Sequence, residues 1–148
     1  MLDILAEYQI VCNKCIQAQS CPEPKGGIVC SVLVIDDEQM IRDLLKIALN
    51  RINVQVQTAG DAEGGMAEFD RGIYDLVITD VRMPGVDGHR VVHHIRRSGR
   101  KQTPVIGVSG TPWLLQNGDF DDVLQKPFTL QNLLDKVKNL TCTSIQQN

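Results

Sequence analysis

The chain has no apolar run approaching the ~20 residues that a membrane-spanning helix needs, so no membrane role is expected. It also lacks a strong excess of either charge. Its 15 Lys and Arg against 18 Asp and Glu leave a net charge of -3, where a dedicated nucleic-acid binder carries a marked positive balance. The basic stretch "HHIRRSGRK" is not followed by a helix-turn-helix, and basic residues near a helix end are explained by its dipole. The N-terminus "MLDILAEYQIVCNKC" has an acid at Asp3 and no basic n-region, which is a poor fit to a signal peptide. A cytoplasmic protein is expected. No internal repeat is found. A second C-x-x-C is missing too. The five cysteines are Cys12, Cys15, Cys21, Cys30 and Cys142, and the one close pair is Cys12–Cys15. Four thiolates can bind zinc, but the spacing rule asks for a matching second pair. The other reading is a short amphipathic N-terminal helix, with Leu2, Ile4, Leu5, Ile10 and Val11 as its apolar members, packing on the domain or a partner.

What is present is a regular alternation. The 148 residues suit one domain with a short appendage, large enough to bury a core without disulfides. "VCSVLVI" (29–35) is β-branched and short enough for a buried strand. "EQMIRDLLKIALN" follows as a helix, with Met40, Ile41, Leu44, Leu45, Ala48 and Leu49 expected on its inner face. "VQVQTA" (54–59) alternates like an edge strand. "DAEGGMAEFDRG" reads as a helix capped by Asp61, weakened by roughly 1 kcal/mol for each of Gly64 and Gly65. "YDLVITD" is a buried strand. "GHRVVHHIRRSG" is a helix with Val91, Val92 and Ile95 inward, "TPVIGVSG" a strand and "DDVLQKP" a shorter one. "TLQNLLDKVKNL" is a helix capped by Thr129, with Leu130, Leu133, Leu134, Val137 and Leu140 as its stripe. "MPGVDG" is a turn, in which Pro84 presets φ and Gly85 and Gly88 permit unusual angles. This pattern predicts an α/β, flavodoxin-like, doubly wound five-stranded parallel sheet with helices on both faces. The expected organisation is an extension and linker over 1–27, a domain over 28–140 and a flexible tail over 141–148.

In an open parallel sheet, ligands bind beyond the carboxyl ends of the strands. Those ends carry Asp36, Asp37 and Glu38 after the first strand, Asp80 after the third, Ser109 after the fourth and Lys126 after the fifth. "DDE" alone could be a helix cap. Three carboxylates on one rim repel one another and raise their own pKa values. A hard divalent cation removes that conflict, and Mg²⁺ uses one or two carboxylates together with a phosphate. Lys126 adds a point charge for a phosphoryl oxygen, and Ser109 adds a hydroxyl. The constellation is suited to holding or moving a phosphoryl group.

The segments "VLVIDDE", "DLVITDVRMPGVDGHRV", "TPVIGVSG" and "LQKPF", in that order, resemble the receiver domain of two-component response regulators, the CheY-like family. The resemblance implies that Asp80 accepts a phosphoryl group from a phosphohistidine on a sensor histidine kinase or histidine phosphotransfer protein. It implies Mg²⁺ bound directly by Asp37, by Asp36 mainly through water, by Asp80 and by the backbone carbonyl of Arg82. Ser109 and Lys126 would meet the phosphoryl oxygens, and Pro127 would follow a cis bond. The protein would be a signalling switch, catalysing only its own phosphoryl acceptance and loss.

Three departures stand out. Gly110 follows Ser109 where the family usually has alanine. The stretch from Ser109 to Lys126 is about five residues short, with Pro112 and Gly118 opposing a fourth helix. Val123 stands where an aromatic residue is common. Trp113 is expected to anchor the shortened loop. His89 and His93, four apart on a helix, could share a metal, although no acid or thiol joins them. A stand-alone receiver is expected, its downstream effector unknown. A phosphate-independent interaction module is the alternative the shortened region favours. An enzyme using Asp80 as nucleophile is the other, and it lacks a second acid/base and a cap.

Overall fold

The structure is a computed structural model that describes residues 30–116 and 119–146, the side chains of Pro112 and of 142–146 excepted. The sequence expectations for the extension and linker over 1–27, with Cys12, Cys15 and Cys21, and for Gly118 lie outside the described residues. The elements run β1 (Cys30–Ile35), α1 (Gln39–Asn50), β2 (Val54–Ala59), α2 (Ala62–Arg71), β3 (Leu76–Asp80), α3 (Gly88–Arg96), β4 (Val105–Ser109), a 3-10 turn (Pro112–Leu114), β5 (Asp122–Gln125) and α4 (Leu130–Gln146). The five strands are parallel, in the order β2-β1-β3-β4-β5. This is the flavodoxin-like arrangement that the sequence pattern predicts.

β1 and β3 read as unbroken apolar runs because both their faces are covered. Val32 and Val34 point into one core with Leu45 and Leu49 of α1 and Leu133, Leu134 and Val137 of α4. Leu33 and Ile35 point into the other, with Phe69 of α2 and Val91, Val92 and Ile95 of α3. α2 begins at Asp61, whose side chain accepts a hydrogen bond from the Gly64 N–H at 2.6 Å. The Gly64–Gly65 pair has a packing reason at its second member. A Cβ at Gly65 would come within 2.3 Å of the buried Ile35 side chain, so α2 seats against the sheet only where no side chain intervenes.

Some sequence expectations need correction. α1 carries two apolar rows, and only one can face the sheet. Leu45, Ala48 and Leu49 are buried, with Ile41 beside them, while Met40 is 83% and Leu44 44% exposed. α4 is capped by Thr129, which accepts from the Asn132 N–H at 3.1 Å, but Leu130 at its start is 39% exposed. The helix also runs past Leu140 to Gln146, and Thr141 is buried with its hydroxyl donating to the Val137 carbonyl at 2.7 Å.

Between β4 and β5, the helical structure among the described residues is the single 3-10 turn, as the short spacing implied. Trp113 does not anchor this connection, being 68% exposed. Arg96, from the last turn of α3, takes that role. Its guanidinium donates to the carbonyls of Lys101 (2.8 Å), Thr103 (2.8 Å) and Asp119 (3.0 Å) and to the Asp121 carboxylate (2.5 Å). The same Asp121 carboxylate accepts from the Val105 N–H at 2.8 Å, tying the loop to the start of β4. Charge-assisted bonds thus replace helix packing as the fixture of this edge.

Candidate functional site

Parallel pairing brings the carboxyl ends of the strands to one rim. Asp80 pairs with Val108, and Ser109 with Gln125, so Asp80, Ser109 and Lys126 emerge in sequence across adjacent strands. β1 contributes Asp36 and Asp37 just after Ile35. Asp36, Asp80 and Ser109 are buried, and Asp37 is exposed. Carboxylate oxygens of Asp36, Asp37 and Asp80 all lie within 4.8 Å of one another. The Lys126 ammonium sits 3.4 Å from Asp80 and 3.6 Å from Asp36. The Lys126–Pro127 peptide is cis, as the resemblance implied.

Local bonding leaves these groups available. Asp36 Oδ1 accepts from the Glu38 N–H at 2.9 Å. Glu38 occupies the N-cap of α1 without a side-chain capping bond. At the helix start the acidic run thus makes one bond through Asp36 Oδ1 and no capping bond through the Glu38 side chain. The Arg82 N–H approaches Asp80 Oδ1 at 3.4 Å, a long contact that aims the carboxylate. Ser109 Oγ accepts from the Thr111 N–H at 3.0 Å and keeps its own proton to donate.

Three carboxylates face one ammonium, and for the two buried ones, Asp36 and Asp80, burial shows in their acidity. Burial pushes the Asp80 carboxyl above its ordinary value, and Asp36 adds to this against the pull of Lys126 and the Arg82 N–H. Burial likewise raises Asp36, with Asp37 and Glu38 adding to it, while the Glu38 N–H and Lys126 pull it back. For Lys126 burial works downward, but Asp36 and Asp80 outweigh it and the ammonium is held more firmly than usual. All-oxygen donors with surplus negative charge fit a hard divalent cation such as Mg²⁺.

A carboxyl raised in the folded state holds its proton where the unfolded chain has already lost it. Metal-free stability contributed by Asp36 therefore falls as pH rises from its ordinary 3.8 through its higher folded value. Asp36→Asn removes this loss. In urea titrations with EDTA, the stability gap between Asp36→Asn and wild type should widen in the variant's favour as pH rises through that window. A gap independent of pH would show that Asp36 carries no such load.

His89 and His93 belong to no group of three or more possible metal ligands among the described residues. His89 stacks at a tilt on Phe120, ring centroids 5.3 Å apart, and exposed His93 lies 3.5 Å from Arg97. Cys30 is buried in β1, so it does not face solvent as a fourth thiolate. The sequence reading missed Arg42, whose guanidinium reaches the Asp36 carbonyl, and misjudged Gly88. Gly88 does not adopt a positive φ, as Gly85 does at 82°. Its importance is proximity: a Cβ there would lie 2.4 Å from the Asp80 carbonyl oxygen. Neither residue leaves a periodic signal, although an arginine one turn after an acid pair was a usable clue.

An open five-stranded sheet with an acid cluster and a lysine at its carboxyl rim defines a phosphoryl-handling α/β domain. The family model for the response regulator receiver domain matches residues 32–138, and the chain belongs to that family. The transcriptional regulatory protein TcrA of Mycobacterium tuberculosis is 35% identical over 115 residues, covering 74% of this chain and 45% of TcrA. The sensor histidine kinase RcsC of Escherichia coli K12 is 35% identical over 105 residues, covering 67% of this chain and 11% of RcsC. The chain thus spans less than half of either protein. A crystal structure of the response regulator TrrA of Thermotoga maritima, in complex with Mg²⁺-BeF, is 33% identical with a TM-score of 0.66, covering 76% of this chain and 99% of that one. Receiver domains are switches of two-component signalling that take phosphoryl groups from histidine kinases and bind Mg²⁺ at an acidic pocket. No described helix is long and apolar enough to cross a membrane.

Proposed function

We propose that Asp80 is the phosphoacceptor and that its phosphorylation, by a phosphohistidine on a sensor kinase or a phosphotransfer protein, switches this domain between two states. The observation carrying this is the 3.4 Å approach of Lys126 to Asp80 within the three-acid cluster. An Asp80 oxygen attacks the phosphorus, the P–N bond breaks, and its electron pair returns to the imidazole. The nucleophile needs no base in its ionised form, and positioning with charge neutralisation accounts for the rate. Lys126, already close to Asp80, pairs with the incoming phosphoryl oxygens. Ser109 donates its hydroxyl to them, drawing the loop after β4 toward the site.

Asp37 and Asp80, with Asp36 behind them and the Arg82 carbonyl, would hold Mg²⁺. When bound, the ion neutralises the crowded carboxylates and the phosphoryl charge. The deep burial of Asp36 and the exposure of Asp37 suit an indirect role for the first and a direct one for the second. The intact acid cluster disfavours a phosphate-independent module.

Incubation with acetyl phosphate and Mg²⁺, followed by intact mass spectrometry, tests this reading. A gain of one phosphoryl mass that EDTA prevents is expected. Absence of any gain in protein shown to bind Mg²⁺ would favour the phosphate-independent module instead.

A further inference from the structure

The geometry points to Arg42 as a positioning residue that holds the turn carrying Asp36 and Asp37, an inference resting on the Mg²⁺ reading above. Arg42 lies one turn into α1, and its Nη1 donates to the Asp36 backbone carbonyl at 2.7 Å. That carbonyl belongs to the peptide joining Asp36 to Asp37. The other atoms of Asp36 are also fixed: its N–H donates to the Ala59 carbonyl at 3.1 Å and its Oδ1 accepts from the Glu38 N–H at 2.9 Å. With the carbonyl clamped, the plane of the Asp36–Asp37 peptide is set. Asp37 is exposed, so the backbone that carries it has a large share in setting where its carboxylate emerges.

The guanidinium also lies close to the backbone at Gly60. A Cβ built at Gly60, just past the end of β2, would lie 3.3 Å from Arg42 Nη1. The ends of β1 and β2 and the first turn of α1 therefore meet at this one side chain. The absence of a side chain at position 60 leaves room for it. Replacing a group that orients a metal ligand from behind typically costs roughly 10–100-fold in metal affinity.

Charge and position pull in opposite directions here. A cation beside an acidic site opposes Mg²⁺, so loss of charge alone would tighten binding. Loss of positioning would weaken it. The test is calorimetric Mg²⁺ titration of the full chain, with circular dichroism to verify folding. Arg42→Met should weaken Mg²⁺ binding about tenfold, the lower range for groups that orient ligands. Arg42→Lys, which keeps one donor, should recover most of that loss. Gly60→Ala, which nudges the guanidinium without touching its charge, should weaken binding in the same direction and still reports if Arg42→Met fails to fold. Arg42→Met binding Mg²⁺ as tightly as wild type, or more tightly, would overturn the positioning role. So would unchanged affinity in Gly60→Ala. Failure of wild-type protein to bind Mg²⁺ would overturn the underlying metal reading instead.

Discussion

Asp80→Asn is expected to abolish phosphoryl acceptance while making the metal-free protein more stable. The two effects have one cause. Asp80 is buried at the end of β3 within reach of Asp36, and its carboxyl is pushed upward chiefly by that burial. An ionised acid there is costly to the fold and indispensable as a nucleophile. Asparagine keeps the shape, removes one buried charge and leaves Lys126 paired with Asp36 at 3.6 Å. The direction follows from the burial that disfavours the Asp80 charge, which the neutral amide removes. Urea unfolding in EDTA reads the stability, and intact mass after acetyl phosphate reads the acceptance. A phosphoryl adduct on the variant would place the acceptor elsewhere, and a loss of stability would mean that Lys126 more than offsets the burial.

Gly88→Ala should be strongly destabilising. α3 starts directly against the backbone of β3. The added Cβ would stand 2.4 Å from the Asp80 carbonyl oxygen and 2.8 Å from the Val81 Cα. Neither neighbour is a side chain that can swing aside. The Gly88 N–H also donates to the Val81 carbonyl at 2.9 Å, so moving the helix away breaks a bond as well. A loss of about 3 kcal/mol is expected, at the upper end for overpacking. Phosphoryl acceptance should slow too, because the displaced backbone carries Asp80. Gly99→Ala is the matched control, since nothing lies within 4 Å of its Cβ and its effect should be small. Equal stability of the two variants in urea would show that α3 and β3 can separate freely.

The fold was legible because both faces of the sheet are covered. Val32 through Ile35 and Leu76 through Ile78 had to be apolar without a break, and the helices between them had to be amphipathic. The site was legible because strand ends are marked by an abrupt change from apolar to polar. Asp36, Asp37, Asp80, Ser109 and Lys126 all follow such changes, and the structure gathers the acids and the lysine on one rim. What stayed hidden depends on contacts without a period. Met40 and Leu44 are as apolar as Leu45 and Leu49, and composition cannot say which row meets the sheet. Trp113 has the size of an anchor, yet the β4–β5 connection is held by Arg96 through the Asp119 carbonyl and the Asp121 carboxylate, a role that leaves no pattern. Gly88 lies in the expected turn, but what it needs there is close approach to the Asp80 carbonyl and not a positive φ. Arg42 went unremarked because its partner is a carbonyl, which every residue has.

The most direct test of the convergent acid–lysine site is a crystal structure of the full chain grown with Mg²⁺ and beryllofluoride, a mimic of the phosphorylated carboxylate. The expected result is beryllofluoride on an Asp80 oxygen, Mg²⁺ contacting Asp37 and Asp80, and the Lys126 ammonium with the Ser109 hydroxyl on the fluorides. Beryllofluoride on another residue, or Mg²⁺ bound away from Asp37 and Asp80, would contradict it.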